Sequence, residues 1–305
     1  MTAVPRPGLA TQRAAPELTG RLMLLGSAAC YGLNIPYARM AAPLGFPGPS
    51  LVVLRVALIL FLVPLTALVL RQSLAVPAPD RAGLAGLGFA SALVGLAYMS
   101  SVSFIPVGIA VLIFYTFPLL ILAATPLVDN VRLLPRQVAA CIVAFAGIVL
   151  AIGPSLGVLD WRGLALAALA SVAAATQLFF ASRAPGGGGL ASMFWVQVAI
   201  LPVAAVAALW FGGGARLEKF GEASWPLTLT TLYFIVGFVL QIRGLKSTTA
   251  AAAGLIYCLE PVVAVASAAW ILGERLTPAQ YFGAALVLAA VAFSMAGPRP
   301  TPQAA

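Results

Sequence analysis

The sequence has little charge and no histidine. Only 8% of its 305 residues are charged, whereas 62% are hydrophobic. Because about a quarter of the residues in soluble domains are charged, this composition excludes an ordinary soluble protein and predicts one that crosses a membrane several times. The absence of histidine excludes the usual zinc sites, the Ser-His-Asp triad and histidine proton relays. We therefore expect no metal site.

Lysine is also scarce, and its positions bear on ATP binding. The only lysines are Lys219 and Lys246. Lys246 precedes Ser247, but Leu245 stands where a phosphate-binding loop needs glycine, and no glycine-rich turn leads into it. We therefore expect no nucleotide and no other cofactor, and we expect any transport to be driven by a gradient or by a partner.

The three cysteines, Cys30, Cys141 and Cys258, lie within long apolar runs. Their number is odd, and their spacing fits no metal site. We predict that they pack as small apolar side chains and form neither disulfides nor metal ligands.

The sequence is basic, with 17 lysine and arginine residues against 8 acidic residues. Most of these cations lie between apolar runs, where they orient a membrane protein, since cytoplasmic loops are enriched in them. With the N-terminus inside the cell, eleven cations fall in cytoplasmic segments and five in external segments, and Arg55 is left within a span. We therefore predict that both termini are cytoplasmic, and we do not expect binding to nucleic acid.

Proline and glycine turns divide the chain into ten apolar runs that are long enough to cross a bilayer. The first run is too long for a signal peptide, so we expect it to be retained. The predicted spans cover residues 21–40, 50–70, 81–101, 106–128, 134–152, 163–181, 190–211, 225–242, 248–272 and 278–295. The domains we expect are a disordered cytoplasmic tail at 1–20, five-helix repeats at 21–153 and 160–296, and a cytoplasmic tail at 297–305.

The two halves of the sequence resemble each other at a fixed offset. The shift that places Pro261 on Pro118 also places Gln177 on Asn34. Internal repeats are typical of transporters, and an odd number of spans in each copy makes the second copy enter the membrane from the opposite side. We therefore predict an all-α membrane protein in which ten transmembrane helices form two inverted five-helix repeats around a central cavity.

Glu260 lies deep within an apolar run and is followed by Pro261. Helical rise puts it near the middle of the bilayer, and proline weakens the helix there. An ionisable residue inside a membrane is a functional-site hypothesis by default. Two interpretations stay open: Glu260 alternates between a protonated and an ionised form during transport, or it is a neutral acid hydrogen bonded to a neighbour.

Polar and aromatic residues within the spans form the candidate binding site. Tyr31, Asn34 and Tyr37 recur at a spacing of three, which favours one face of a helix. Such residues either line a cavity or hydrogen bond to neighbouring helices. Equivalent positions of the two halves are where inverted-repeat transporters build their sites. The candidate substrate-binding residues are Tyr31, Asn34, Tyr37, Tyr98, Phe114, Tyr115, Gln177, Phe180, Gln241, Tyr257 and Glu260.

Arg55 lies about five residues inside the second predicted span, roughly 7 to 8 Å below the helix end by helical rise. At that depth its long side chain can extend outward to the membrane surface. We interpret Arg55 as an anchor of its helix, with substrate contact as the alternative.

Two segments at related positions carry a family resemblance. Residues 104–118, together with 259–261 and 272–276, resemble the twin signatures of the EamA family in the drug/metabolite transporter superfamily. Arg55 also matches an arginine common in the second span of that family. The resemblance implies a ten-helix inverted repeat with a central cavity, and it implies an exporter of amino acids or other small metabolites.

The sequence departs from the family pattern at two places. Tyr31 stands where many members carry tryptophan, and Asn130 with Val131 replaces the counterpart of Gly273 and Glu274. The first departure concerns the cavity lining, and the second concerns loop contacts on the predicted cytoplasmic side.

We expect a secondary transporter of the bacterial inner membrane that exports small metabolites, in the first place amino acids, by alternating access. Aromatic residues can pack a side chain, while Asn34, Gln177 and Gln241 offer hydrogen bonds to a zwitterion. The alternative is efflux of drugs or organic cations with Glu260 as counter-charge. A structural or lipid-scrambling role ranks below both. A sugar phosphate would need more cations inside the membrane than Arg55.

An enzyme is not expected, because intramembrane catalysis would need a nucleophile with a base or a pair of acids, and Glu260 is the lone deep carboxylate. The partners we expect are a small-molecule substrate and the lipid bilayer. We expect the chain to act as a monomer or a weak dimer.

Overall fold

The computed structural model describes residues 8–130, 133–153, 159–183, 189–211 and 215–295, and the regular secondary structure in these ranges is helical. Single turns of 3-10 helix at Ala78–Asp80 and Leu217–Lys219 precede the third and ninth α-helices. The α-helices are α1 Gly8–Ala41, α2 Gly48–Val69, α3 Arg81–Ser101, α4 Val107–Phe114, α5 Phe117–Val128, α6 Pro135–Ile152, α7 Trp161–Ser182, α8 Gly189–Phe211, α9 Phe220–Leu245, α10 Ala250–Tyr257, α11 Leu259–Leu272 and α12 Pro278–Met295.

Nine helical segments within the described ranges are long and apolar enough to cross a membrane. The prediction of an all-helical membrane protein is thereby confirmed, and α3 and α12 have the bounds predicted for them. Helix α1, which we predicted as the first span, is not among the nine. Polar residues such as Ser27, Tyr31 and Asn34 make it the least apolar of the long helices.

The start of the chain differs from the predicted disordered tail at 1–20, since α1 begins at Gly8. Arg21 forms an ion pair of 2.6 Å with Glu17 one turn earlier, and such pairs stabilise a helix. The guanidinium of Arg21 also donates to the backbone carbonyl of Met295 at 3.1 Å. This contact joins α1 to the last residue of α12. Residues 1–7 of the predicted tail and residues 297–305 lie outside the described residues.

The fourth and ninth predicted spans are each interrupted in the structure. Helices α4 and α5 are separated by Tyr115 and Thr116, and α10 and α11 are separated by Cys258, the equivalent of Tyr115 in the second half. Pro118 and Pro261 each follow shortly after these two positions. Proline cannot donate to the carbonyl four residues earlier and clashes with it, which explains both breaks. The weak point that we predicted beside Pro261 therefore has a counterpart in the first half.

The helices of one half pack mainly against helices of the other half. Helix α1 packs along α9 and α11, while α7 packs along α3, α4 and α5. Helix α6 packs along α12, and α2 along α8. Helices α1 to α6 of the first half correspond in order to α7 to α12 of the second. If each helix is replaced by its counterpart, the contacts of α1 with α9 and α11 become those of α7 with α3 and α5, and the pair of α6 and α12 is unchanged. The packing thus has the same internal correspondence as the sequence.

Two ion pairs join the halves at the ends of the helices. Arg39 near the end of α1 pairs with Glu274, which follows α11, at 2.6 Å. Arg183, directly after α7, pairs with Asp129, which follows α5. Each pair therefore joins the first helix of one half to the end of the fourth span of the other half. All four side chains are at least a quarter exposed, so each pair contributes little to stability.

Helices α5 and α11 end in the same backbone conformation. Gly273 and Asn130, which occupy equivalent positions in the two halves, have positive φ angles of 71° and 52°. Glycine and asparagine are the residues that adopt this left-handed conformation most readily, and it commonly ends a helix. Asn130, noted above as a departure from the family pattern, therefore preserves the helix end that glycine forms in the second half.

Glycines allow close contacts between helices. A Cβ atom built on Gly283 of α12 would lie 2.5 Å from the backbone nitrogen of Ala151 and 2.5 Å from the carbonyl oxygen of Gly147, both in α6. A Cβ on Gly147 would in turn lie 2.7 Å from the carbonyl oxygen of Gly283. Small residues at such crossings bring backbones together, which is how transmembrane helices gain packing energy without a hydrophobic driving force.

We expect Gly283→Ala to lower the melting temperature of the purified protein in detergent, because the new Cβ meets backbone atoms that cannot move independently. Overpacking of this kind costs about 1 to 3 kcal/mol. The matched control is Gly83→Ala in α3, whose new Cβ would have no atom within 4 Å. Alanine favours a helix by up to about 1 kcal/mol, so this control should melt at the wild-type temperature or above. If both variants melt alike, α6 and α12 do not cross at these glycines.

Candidate functional site

A cavity of about 320 Å³ lies between the two halves. It extends from the helix breaks toward the end of the bundle where α2 begins and where α3 and α8 end, since Pro49, Met99 and Ala207 line it. Contacts on the surrounding loops agree with this, because the Arg216 backbone donates to the Gly45 carbonyl and so joins the segments before α9 and α2. Both halves contribute side chains to this cavity.

Most of the predicted site residues meet in this cavity. Asn34 and Gln177, which occupy equivalent positions in the two halves, both line it. Both amides also bond to neighbouring helices, since Asn34 accepts from the Thr230 hydroxyl and Gln177 donates to Ser91 Oγ at 2.9 Å. The two interpretations of the polar stripe are therefore compatible. The predicted residues that line the cavity are Tyr31, Asn34, Phe114, Gln177, Gln241, Tyr257 and Glu260.

Tyr37 and Phe180 do not line the cavity. Tyr37 stacks on Tyr233 with ring centroids 5.7 Å apart, and the Phe180 ring packs against Gly86 of α3. A helix turns about 100° per residue, so each step of three residues falls about 60° short of a full turn. Two such steps carry Tyr37 about 120° away from Tyr31. This rotation explains why the predicted stripe leaves the cavity face.

Glu260 lies in the first turn of α11 and lines the cavity. The positive end of a helix favours an acidic side chain at this place. Within the described residues no basic side chain forms an ion pair with Glu260. Its electrostatic neighbours are four tyrosines that come from four different segments: Tyr31, Tyr98, Tyr115 and Tyr257.

Two of these tyrosines direct their hydroxyl protons away from the carboxyl group. The Ser27 hydroxyl donates to the Gly237 carbonyl at 2.7 Å, so the 2.8 Å contact between Ser27 and Tyr257 is a bond that Tyr257 donates. Tyr31 donates to Gln241 Oε1 at 2.9 Å. Neither hydroxyl has a second proton to offer.

The other two tyrosines do not line the cavity but pack beside the carboxyl group. Tyr115 is 5% exposed, and it lies close enough to the carboxyl group of Glu260 to interact with it electrostatically. Tyr98 packs edge-on against Phe114 with ring centroids 5.4 Å apart. Tyr98 and Tyr115 are therefore the phenols that can donate to an ionised Glu260, and both predicted roles of the acid stay open.

Arg55 is a cavity residue whose orientation we did not predict. Its guanidinium carbon lies 3.7 Å from the ring centroid of Phe234 in α9, and both side chains line the cavity. Arg55 therefore turns toward the cavity instead of toward the membrane surface. Phe234 was missed in the sequence, and so was its counterpart in the first half, Ser91, which also lines the cavity.

Comparison with known proteins identifies the family. The model of the EamA-like transporter family matches residues 18–153 and again residues 161–296. The chain belongs to this family. The double match confirms the resemblance inferred from residues 104–118, 259–261 and 272–276, and it confirms that the sequence contains two repeats. The chain is thus a multi-pass membrane protein of a transporter family.

A solved crystal structure is similar in fold to this EamA-like chain. It has a TM-score of 0.73 and 18% sequence identity, over 90% of this chain and 96% of the other. At that identity the similarity concerns the fold alone. No curated protein matches the chain.

The geometry predicts which positions water-soluble reagents reach. We expect cysteine at position 34 or 177, introduced as Asn34→Cys or Gln177→Cys in a background without Cys30, Cys141 and Cys258, to react with a hydrophilic thiol reagent. Leu24→Cys should resist labelling, because Leu24 lies on the same helix as Asn34 but is 0% exposed. Labelling kinetics in intact membranes provide the measurement. Equal reaction rates at all three positions would contradict a water-filled cavity.

Proposed function

We propose that this chain is a secondary transporter that exports small metabolites, in the first place amino acids, across the bacterial inner membrane by alternating access. The observation that carries the proposal is a single cavity, lined by both repeats, that contains a carboxyl group, a guanidinium and amide groups. Substrate sites of repeat transporters lie at such an interface near the middle of the membrane.

The chemistry of the lining supports a small ligand with polar and apolar parts. Phe114, Phe117, Phe234 and Phe238 supply an apolar surface. Amide groups supply hydrogen bonds, because Gln177 uses its amide nitrogen on Ser91 and keeps its oxygen as an acceptor. A cavity of about 320 Å³ is at the lower end of the sizes that small-molecule sites have. An amino acid fits this combination of size and polarity.

We further propose that the two repeats are inverted relative to each other, with both termini cytoplasmic. Contacts between helix ends support this arrangement: Arg39 in the last turn of the first span of one repeat and Arg183 directly after the first span of the other form equivalent ion pairs. In an inverted repeat these two pairs lie at opposite faces of the membrane. The excess of cations in the predicted cytoplasmic segments supports the same orientation.

In this orientation the cavity reaches toward the external face, because Pro49, Met99 and Ala207 belong to helix ends on that side. Alternating access then requires a second state. In it the two repeats exchange their contacts, and the same cavity residues are exposed to the cytoplasm. The interleaved packing of α1 with α9 and of α7 with α3 supplies two equivalent sets of contacts for the two states. The cavity forms within one chain, so a monomer or a weak dimer suffices.

Efflux of organic cations is the second candidate, and a specific observation favours it. The titratable side chains that interact with Glu260 among the described residues are tyrosines, and aromatic rings with a carboxyl group form a site for a cation. Arg55 on the same cavity opposes this candidate, because it would repel a ligand that carries only positive charge.

We expect Glu260→Gln to lower flux strongly in proteoliposomes while the protein stays folded and monodisperse. Glutamine keeps the shape of the side chain and removes its titration, and only an interaction that differs between two states can bias their equilibrium. The assay is counterflow of radiolabelled amino acids, measured over a range of pH. The pH dependence that wild-type flux owes to this group should disappear in the variant.

The matched control is Glu274→Gln. It removes an equally large acidic side chain that is partly exposed and pairs with Arg39, so it should affect expression more than flux per folded molecule. Wild-type flux with unchanged pH dependence in folded Glu260→Gln would leave the acid as a hydrogen-bonded packing residue beside Pro261. Absence of saturable flux for every solute would favour the structural or lipid-scrambling role.

A further inference from the structure

We propose that Arg55 is the anion-binding group of the cavity, and that the ligand it selects carries a carboxylate. This inference rests on the transport function proposed above and specifies the chemical class of the ligand. It also separates the two candidate functions, since an organic cation has no carboxylate.

The depth of Arg55 is the first observation. Its helix begins at Gly48, seven residues earlier, which corresponds to about 10 Å of helical rise. The guanidinium lies over Phe234, the fifteenth of the 26 residues of α9. The charge is therefore held in the interior of the bundle, beside the middle of a membrane-spanning helix, and does not extend to the surface.

The second observation is that Arg55 lacks a polar partner among the described residues. No carboxylate forms an ion pair with it there, and its Nε atom is buried without a hydrogen bond. The Phe234 ring attracts the cation through its face, but it does not satisfy the N–H groups that lie in the guanidinium plane. A charge that is only partly exposed, and only toward a cavity, favours a ligand that pairs with it, because restricting a charge's access to water is unfavourable unless something pairs with it.

The geometry of the guanidinium indicates which ligand fits. Its planar fork matches the two oxygens of a carboxylate, and stacking on an aromatic face leaves that fork accessible at the edge. Arg55 is the one cation among the cavity-lining residues that the structure describes. A single positive charge complements a monoanion such as a carboxylate, whereas a phosphate dianion would need further cations.

The lack of an ion pair between Glu260 and Arg55 explains why the carboxylate that pairs with Arg55 has to come from the ligand. Glu260 lines the same cavity, but it forms no ion pair with Arg55, which interacts electrostatically with Tyr31. The Tyr31 hydroxyl already donates to Gln241, so it directs its oxygen and not its proton toward other groups. When Glu260 is ionised, Arg55 and Glu260 thus leave two opposite charges without an ion-pair partner in one cavity, among the residues that the structure describes. A ligand with an ammonium and a carboxylate group would neutralise both.

The test uses purified full-length protein in detergent and measures thermal stabilisation by matched ligands. The carboxylates are phenylalanine, leucine and 3-phenylpropionate, and the matched amines without a carboxylate are phenethylamine and isoamylamine. We expect the carboxylates to stabilise the wild type and the amines not to. Arg55→Met, which keeps an apolar stem of similar length, should weaken carboxylate binding at least tenfold, and Arg55→Lys should restore part of it.

Two further variants keep the test decisive. Phe234→Leu removes the aromatic platform but keeps the cation, so it should weaken carboxylate binding several-fold even if Arg55→Met does not fold. Arg162→Met is the matched control, because Arg162 is exposed at the start of α7 and does not line the cavity. It should bind carboxylates as the wild type does.

The same ligands in counterflow assays separate this inference from transport itself. Carboxylate binding that depends on Arg55 but is accompanied by no flux would support the anion site and contradict the transport function. Amino-acid flux that is unchanged in Arg55→Met would support the transport function and overturn the anion site. Stabilisation of the wild type by amines alone, or by neither series, would also overturn it.

Discussion

A charge inside a membrane protein needs a partner or water, and this constraint organises the structure around Arg55 and Glu260. A charged residue at the centre of a transmembrane helix costs about 2.5 to 3.5 kcal/mol on insertion scales. Within the described residues neither group forms an ion pair, and both line one cavity. Tyrosines lie near the carboxyl group of Glu260, and the ring of Phe234 contacts the guanidinium of Arg55. None of these groups supplies an opposite full charge. A ligand of complementary charge can therefore gain binding energy from both.

The internal repeat explains how such a cavity arises. Pro118 and Pro261 break the fourth span of each repeat at equivalent positions, and both breaks adjoin the cavity. Interrupted helices make backbone and side-chain groups available for a ligand in the middle of a membrane. In continuous helices the backbone polar atoms there are hydrogen bonded within the helix. The acid occurs only in the second repeat, since Phe117 occupies the equivalent position in the first. The two repeats thus share one arrangement of helices but differ in their side chains. This difference places the carboxyl group on the side of the cavity that the second repeat forms.

Periodicity and the fixed offset between the two halves carried the sequence-based prediction, and their limits explain what it missed. They predicted the bounds of α3 and α12 and brought Asn34 and Gln177 to one site, because these features depend on local turns and equivalent positions. Tyr37 left the site because a spacing of three drifts around the helix. The direction of Arg55 depends on the ring of Phe234, which belongs to the other half of the chain. Contacts between distant segments of this kind have no local signal.

The most direct test of alternating access is the distance between spin labels at the two ends of the bundle, measured by pulsed electron resonance with and without a transported solute. Ser103→Cys and Ser224→Cys place one pair of labels at the end toward which the cavity extends, and Gln72→Cys and Arg243→Cys place a second pair at the other end; all four positions are exposed. Under alternating access, solute shortens one distance and lengthens the other. Unchanged distances at both ends during measurable flux would contradict it.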